Sequence, residues 1–147
     1  MEKAIYFDMD GTIANFYQVD KWLDKIRASD VSPYLDALPL VDISKAVKIL
    51  TELQSKGWTI GIISWLAMNS TKKFEDRTRY AKKKWLQKYF DFNFDEIHFT
   101  KYGRSKSAIA KYKNGILFDD NDQVRKEWKG LAFNEKNILE NLKAIII

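Results

Sequence analysis

The feature that most constrains the fold is a short apolar run near the start of the chain that ends in two carboxylates. The run Lys3–Phe7 is followed by Asp8-Met9-Asp10-Gly11-Thr12. Strand geometry places the side chains of Asp8 and Asp10 on one face. Two negative charges so close are costly unless a positive charge lies between them, and a divalent cation with oxygen ligands supplies it. The pattern predicts a buried strand leading into a metal-assisted phosphoryl-transfer site, where one carboxylate attacks phosphorus and the other handles a proton.

A calcium loop or an ordinary turn is the alternative for this motif. Asp-x-Asp-Gly also occurs where Asp and Gly serve only the backbone geometry of a turn. A calcium loop of the EF-hand type continues with acidic residues at fixed spacings and closes with Glu. Thr12, Ile13 and Ala14 follow here instead. The EF-hand interpretation is therefore excluded, whereas the turn remains open for the motif taken alone.

Three later segments repeat the arrangement of an apolar or short strand followed by polar side chains. They are Thr59–Trp65, Thr100–Lys106 and Gly115–Asp122. Each is a weak signal alone, because a Ser after a strand usually caps a helix and an Asp-rich run usually forms a turn. Their order is the stronger signal, since the carboxyl ends of parallel strands meet at one edge of a sheet, where ligands bind. The sequence thus predicts an α/β fold with a parallel sheet.

In this order the segments resemble the haloacid dehalogenase (HAD) superfamily of phosphatases, over residues 3 to about 133. The opening run Asp8–Phe16 resembles more specifically the 5'(3')-deoxyribonucleotidases, or 5'-nucleotidases of type C. The resemblance implies a Rossmann-like three-layer core with a parallel sheet of about five strands. The length predicts one domain over residues 1–147, and the resemblance implies a small helical cap inserted in it at about residues 15–41.

The resemblance implies a role for each matching side chain. Asp8 would be the nucleophile that forms an aspartyl-phosphate, and Asp10 the general acid and base. Ser64 would hold the phosphoryl group. Asp119 and Asp120 would complete a Mg²⁺ site with Asp8 and the backbone carbonyl of Asp10. The implied activity is Mg²⁺-dependent hydrolysis of a small phosphorylated substrate.

The lysine of the family pattern has two candidates in this chain. Lys106 begins the helix before the fourth strand, whereas Lys101 directly follows the third strand. Lys106 is favoured because the family's lysine commonly projects from that helix start. Lys101 is kept as a substrate contact, and a solvated loop lysine is the alternative for either residue.

Three further residues are predicted to contact the substrate. Phe16 matches the position where the nucleotidase resemblance expects a ring against the base, and Trp65 flanks the predicted site. Thr12 lies in the turn after Asp8, which is expected to cradle phosphate. Packing in the core or cap is an equal alternative for Phe16 and the favoured one for Trp65 and Tyr17. A nucleoside monophosphate is therefore the expected substrate.

Composition excludes several other classes of protein. The chain of 147 residues has no cysteine, which excludes a disulfide scaffold, a zinc-thiolate site and a cysteine nucleophile. It shows neither a signal peptide nor an apolar run of membrane-spanning length. We therefore expect a cytoplasmic location and no membrane partner. An oligomer remains open, because a cap this small leaves room for a second subunit to complete the pocket.

Positive charge is concentrated in residues 72–88. This segment holds eight Lys and Arg residues against two acidic ones, within a chain whose net charge is +5. Its spacing predicts a helix with the apolar face Phe74, Thr78, Ala81, Trp85 and Tyr89. A solvated basic face is favoured. Binding of nucleic acid, as in a nucleic-acid-end phosphatase, is the alternative, and a non-catalytic phosphate-binding protein is another.

Overall fold

The centre of the fold is a five-stranded parallel sheet, seen in a computed structural model that describes residues 1–146. The strand order is β3-β2-β1-β4-β5, and every neighbouring pair is parallel. The strands are β1 (Ala4–Phe7), β2 (Thr59–Trp65), β3 (Glu96–Thr100), β4 (Ile116–Phe118) and β5 (Ala132–Phe133). The predicted α/β class with a parallel sheet is confirmed.

The helices connect these strands, and several begin at side-chain caps that the sequence makes visible. A single 3-10 turn covers Phe16–Gln18. Asp42 accepts a hydrogen bond from the Lys45 N–H at the start of α3, as expected of an N-cap. The helices are α1 (Trp22–Arg27), α2 (Ser32–Asp36), α3 (Ile43–Ser55), α4 (Lys72–Tyr89), α5 (Lys106–Ile109), α6 (Asp122–Glu127) and α7 (Ile138–Ile146).

The last helix does not begin at Asn134, although Asn is a common N-cap residue. Asn134 instead accepts a hydrogen bond from the Lys136 N–H two residues on, which is a local turn that competes with helix formation. Helix α7 therefore begins later, at Ile138, and continues to Ile146. The apolar residues 144–146 near the C-terminus lie within this helix, while residue 147 lies outside the described residues.

Alternating side chains of β1 build a core on each face of the sheet. Ile5 and Phe7 lie in the larger core, which includes residues of α3, α4 and α7. Ala4 and Tyr6 lie in the smaller core on the other face, with Trp128 after α6. All four residues of β1 are buried, as expected for a central parallel strand covered on both sides. The result is a three-layer Rossmann-like core.

The segment between β1 and α3 forms a small separate cluster above the carboxyl ends of the strands. Phe16, Tyr34, Phe74 and Ala81 are buried together, and this joins the 3-10 turn and α2 to helix α4. The indole N–H of Trp85 on α4 donates to the Ala37 carbonyl at 2.7 Å. Helix α4 therefore supports this segment as well as the sheet. None of the helices within residues 1–146 is long and apolar enough to span a membrane.

Candidate active site

The register of the two central strands brings the acidic motifs together. Phe7 of β1 pairs with Phe118 of β4, so the next residues, Asp8 and Asp119, leave the sheet side by side. The Asp8 N–H donates to the Phe118 carbonyl at 2.9 Å, which extends the ladder to the first carboxylate. Asp8 and Asp119, more than a hundred positions apart in the sequence, thus meet because each follows one of two adjacent parallel strands.

Three carboxylates form a cluster that suits a hard divalent cation. One oxygen from each of Asp8, Asp119 and Asp120 lies within 4.8 Å of the others. Thr12 orients two of them, because its hydroxyl donates to Asp8 Oδ2 at 3.0 Å and accepts from the Asp120 N–H at 3.0 Å. Thr12 is itself fully buried. An all-oxygen donor set of this kind fits Mg²⁺.

The turn after Asp8 depends on glycine. Gly11 has a φ of +83°, and a Cβ at this position would collide with the Asp120 carboxylate and the Tyr17 ring. Only glycine combines this left-handed conformation with such close contacts. Among residues 1–146, the N–H groups of Met9 and Asp10 donate to no other protein group. They are available to an anionic ligand in this turn.

Lys106 joins the two central carboxylates. Its Nζ lies 3.0 Å from Asp8 Oδ1 and 2.7 Å from Asp119 Oδ2, and its side chain is only 3% exposed. Burial acts to lower the pKa of Lys106, but the charges of Asp8 and Asp119 outweigh it and raise the pKa overall. Lys101, the other candidate, is 74% exposed and pairs with Glu75 at 3.2 Å. Of the two lysines, Lys106 is the one that contacts the carboxylate cluster.

The close packing of the acidic groups shifts their pKa values. Burial, followed by the neighbouring Asp8 charge, raises the pKa of Asp119 to about 6 and that of Asp120 to about 8. The group of four carboxylates, Asp8, Asp10, Asp119 and Asp120, is paired with two ammonium groups of the described chain: Lys82 contacts Asp10, and Lys106 contacts Asp8 and Asp119. Fully ionised, the group carries two uncompensated negative charges. A divalent cation balances that charge.

Lys82 is a member of the site that the sequence did not reveal. It lies on α4, it is fully buried, and its Nζ donates to Asp10 Oδ2 at 3.0 Å and to Ser64 Oγ at 2.7 Å. Burial raises the pKa of Asp10, although the Lys82 charge opposes this effect. The signal was a lysine four residues after Thr78, on the predicted apolar face of a helix.

Ser64 lies near the end of β2 and is 1% exposed. Because an ammonium group can only donate, Ser64 accepts the hydrogen bond from Lys82 and keeps its own O–H for another acceptor. The expected contact of this hydroxyl with a phosphoryl group stays a prediction.

A cavity of about 870 Å³ opens above the carboxylates, between the segment after β1 and the loop after β2. Tyr17 and Tyr102 line it with 47% and 51% of their surface exposed. Phe16 also lines it but is only 4% exposed, because its ring stacks on Tyr34 at 4.8 Å. The exposed aromatic wall is therefore formed by Tyr17 and Tyr102, while Phe16 belongs mainly to the buried cluster behind it.

Trp65 connects the aromatic wall to the charged residues. Its ring lies 5.0 Å from that of Tyr102, and Lys106 Nζ lies 5.5 Å from its centre. Its indole N–H donates to the Arg104 carbonyl at 2.8 Å. These contacts fix the indole at the cavity beside Lys106, as a cation–π pair.

A solved structure shares the fold of this chain over almost its whole length. The chain is similar to the crystal structure of D,D-heptose 1,7-bisphosphate phosphatase from Burkholderia thailandensis, with a TM-score of 0.53 and 9% identity over 99% of both chains. Neither protein-family models nor curated protein sequences give a match to this chain. At this identity the likeness concerns the fold alone, and it agrees with the predicted Rossmann-like α/β core with a five-stranded parallel sheet.

Proposed function

We propose that this chain is a Mg²⁺-dependent phosphomonoester hydrolase of the HAD superfamily that acts through a phosphorylated Asp8. The observation that carries the proposal is the double anchoring of Asp8. Its two carboxylate oxygens contact Lys106 and Thr12 separately, at 3.0 Å each, on the floor of an open cavity. A carboxylate held this way is pre-aligned for attack, which is what phosphoryl transfer demands of a protein.

In the first half-reaction, an Asp8 oxygen forms a bond to phosphorus while the bond between phosphorus and the leaving oxygen breaks. Asp10 donates a proton to that oxygen. In the second half-reaction, water attacks phosphorus and gives a proton to Asp10, and the bond from phosphorus to Asp8 breaks. Phosphate leaves, and both carboxyl groups return to their starting states. Lys106 stabilises the charge on Asp8 and the transferred group in both steps.

The residues present fit a magnesium ion. Asp8, Asp119 and Asp120 would hold it through carboxylate oxygens, with the backbone carbonyl of Asp10 as a further ligand. When bound, Mg²⁺ supplies Lewis-acid neutralisation of the repulsion between the substrate and the carboxylates. Asn121 supports this set, because its N–H donates to Asp119 Oδ1 at 3.0 Å and holds that carboxylate in place.

The proposed leaving group is a nucleoside. Tyr17 and Tyr102 offer exposed rings at the cavity, and stacking on a ring suits any base. Phe16 contacts the Tyr17 ring edge-on at 5.2 Å, so we propose that it acts on the base by supporting Tyr17. Thr12 would act through Asp8. Lys101 stays a proposed substrate contact, although its ammonium group pairs with Glu75.

The experiment is a comparison of substrates with and without Mg²⁺. Purified protein is assayed for phosphate release from nucleoside 5'- and 3'-monophosphates and from heptose and hexose phosphates. Sugar phosphates are included because the similar structure is a heptose bisphosphate phosphatase. The proposal expects Mg²⁺-dependent release with a higher kcat/KM for nucleotides. Better turnover of sugar phosphates would keep the hydrolase but refute the nucleotidase.

A phosphatase of nucleic-acid ends is the second candidate, favoured by the charge on α4. Lys72, Lys73, Lys83 and Lys84 are exposed, and Arg77 contacts the Ser29 carbonyl at the cavity rim at 3.1 Å. Several phosphate contacts would make the affinity for an oligonucleotide fall steeply with salt, whereas a mononucleotide site would respond mildly. Measuring KM for both substrates at two salt concentrations separates the candidates.

A further inference from the structure

We propose that Lys82 is the positioning residue of Asp10, and that it holds this carboxyl group in place for proton transfer to the leaving oxygen. The inference rests on the proposed function, in which Asp10 is the acid and base. It gives the basic helix α4 a direct part in the reaction.

The three protons of the Lys82 ammonium group are all committed to the protein. Their acceptors are Asp10 Oδ2 at 3.0 Å, Ser64 Oγ at 2.7 Å and the Trp65 carbonyl at 2.8 Å. An ammonium group has three donors, and the Lys82 side chain is 1% exposed. Lys82 therefore acts through these neighbours and has no donor left for the substrate.

The position of the charge is informative because burying it is costly. An ammonium group that is buried in a protein loses its favourable hydration, which costs free energy. An apolar side chain such as leucine at this position of α4 would not carry that cost. Among the described residues, Lys82 contacts one carboxylate, that of Asp10, whereas Lys106 contacts Asp8 and Asp119. The two lysines thus divide the acidic residues between them, with one for the nucleophile and one for the proton-transfer group.

The helix that carries Lys82 is itself held firmly. Trp85 bonds to the Ala37 carbonyl at 2.7 Å, and the Tyr34 ring centre lies 5.0 Å from Lys82 Nζ. Among the described residues, the side-chain contact of Asp10 is the one that Lys82 makes at Oδ2, so the other oxygen, Oδ1, is the atom available to the leaving group. The Asp10 side chain keeps 19% exposure and lines the cavity. A fixed Lys82 therefore means a fixed direction for proton transfer.

The test uses two substrates that differ in their need for a proton. A nucleoside or alkyl phosphate needs general acid help, which contributes about 10²- to 10⁴-fold, whereas p-nitrophenolate leaves without it. We expect Lys82→Met to lower kcat/KM by about 10²-fold for the nucleoside phosphate and by less than about tenfold for p-nitrophenyl phosphate. Equal losses on both substrates would overturn the proposal.

Controls separate this inference from the proposed function and from misfolding. Lys48→Met, at an exposed lysine on α3 that lies outside the basic helix, should leave both substrates near wild type. Asp8→Asn should remove turnover of both, and if it does not, the proposed function fails rather than the role of Lys82. Thermal unfolding followed by circular dichroism checks the fold of each variant.

A double-mutant cycle keeps the proposal falsifiable if Lys82→Met folds poorly. The variant Lys82→Met/Asp10→Asn removes both members of the buried pair and leaves no unpaired charge. If Lys82 acts through Asp10, adding Lys82→Met to Asp10→Asn should cost less than about threefold in kcat/KM for the nucleoside phosphate. Effects that multiply would show that Lys82 acts independently of Asp10, and would overturn the proposal.

Discussion

The cavity has two halves that are held in different ways. The charged floor of the cavity consists of the side chains of Asp8, Asp10, Asp119, Asp120, Lys82 and Lys106. Direct polar contacts hold its carboxylates, as Lys106 holds Asp8 and Lys82 holds Asp10. On the aromatic wall, Tyr17 contacts the Phe16 and Trp22 rings at 5.2 and 5.0 Å and stays about half exposed. Polar contacts fix a direction, whereas ring packing tolerates small shifts. Chemistry and substrate choice are therefore separable in this cavity, and mutations in its two halves should affect different kinetic parameters.

The largest effect is expected from the floor, at Asp8. The variant Asp8→Asn keeps the shape but removes the attacking charge and a metal ligand, so kcat/KM should fall by several orders of magnitude on every phosphomonoester. Phosphate release at saturating Mg²⁺ measures it. The matched control is Asp122→Asn, whose side chain is 69% exposed and which should behave as wild type. Near-normal turnover by Asp8→Asn would refute the nucleophile.

The next effect is expected at Lys106. Lys106→Ala removes the charge beside Asp8 and the phosphoryl group, and kcat should fall by about 10²- to 10³-fold, as for other losses of a charge-stabilising donor. Lys101→Ala removes an exposed pair with Glu75 and should change kcat by less than about threefold. Both are measured at saturating substrate. The reverse order would move the catalytic role to Lys101.

A smaller effect is expected from the wall, at Tyr17. Stacking contributes about 1–3 kcal/mol per base, or roughly 5- to 150-fold in kcat/KM. Tyr17→Leu should remove most of the preference for a nucleotide over p-nitrophenyl phosphate, whereas Tyr17→Phe should keep it. Tyr80→Leu, at a tyrosine that is 65% exposed on α4, is the matched control. Equal losses on both substrates would mean that Tyr17 supports the floor, and the two halves would not be separable.

The smallest effect concerns stability and pH. The pKa values of Asp119 and Asp120 are raised from 3.8 to about 6 and about 8. The folded, metal-free protein therefore binds more protons than the unfolded chain in this range, and its stability falls as pH rises from about 4 to about 8. Mg²⁺ binds the ionised carboxylates, so it should stabilise the protein more at about pH 8.5 than at about pH 5.5.

Thermal unfolding measures this difference. Mg²⁺ at one fixed concentration, ten times its Kd at the higher pH, should stabilise the protein by about 1.4 kcal/mol there, which raises Tm by roughly 3–6 °C in a chain of this size. The gain at high pH should disappear in Asp120→Asn and persist in Asp122→Asn. An equal rise in Tm at both pH values would place the bound ion away from these carboxylates.

Much of the floor was predictable because it follows from local patterns. Asp8 and Asp119 each come directly after a short apolar strand, and adjacent parallel strands necessarily bring such residues together. The start of α3 was also predictable, since Asp42 precedes a helical pattern and caps it through its side chain. In these cases the information lies within a few neighbouring residues of the sequence.

Other features depend on contacts that the sequence does not specify locally. The sequence favours a solvated basic face for the segment that contains Lys82, yet Lys82 is fully buried. Its partner Asp10 lies 72 positions away, so no local pattern indicates their pairing. For Phe16 the sequence leaves stacking on a base and packing as equal alternatives, and its contact with Tyr34 forms only once α2 packs on α4. Both outcomes are decided by tertiary packing, which overrides local pattern.

In the proposed reaction, Asp8 carries the phosphoryl group during turnover. The most direct measurement is to quench the Asp10→Asn variant during turnover of p-nitrophenyl phosphate and to treat it with borohydride. Borohydride reduces an acyl phosphate, so mass spectrometry should find homoserine at position 8, only when both Mg²⁺ and substrate were present. Unmodified Asp8, together with reduction at another carboxylate or at none while nitrophenol is still released, would contradict the account.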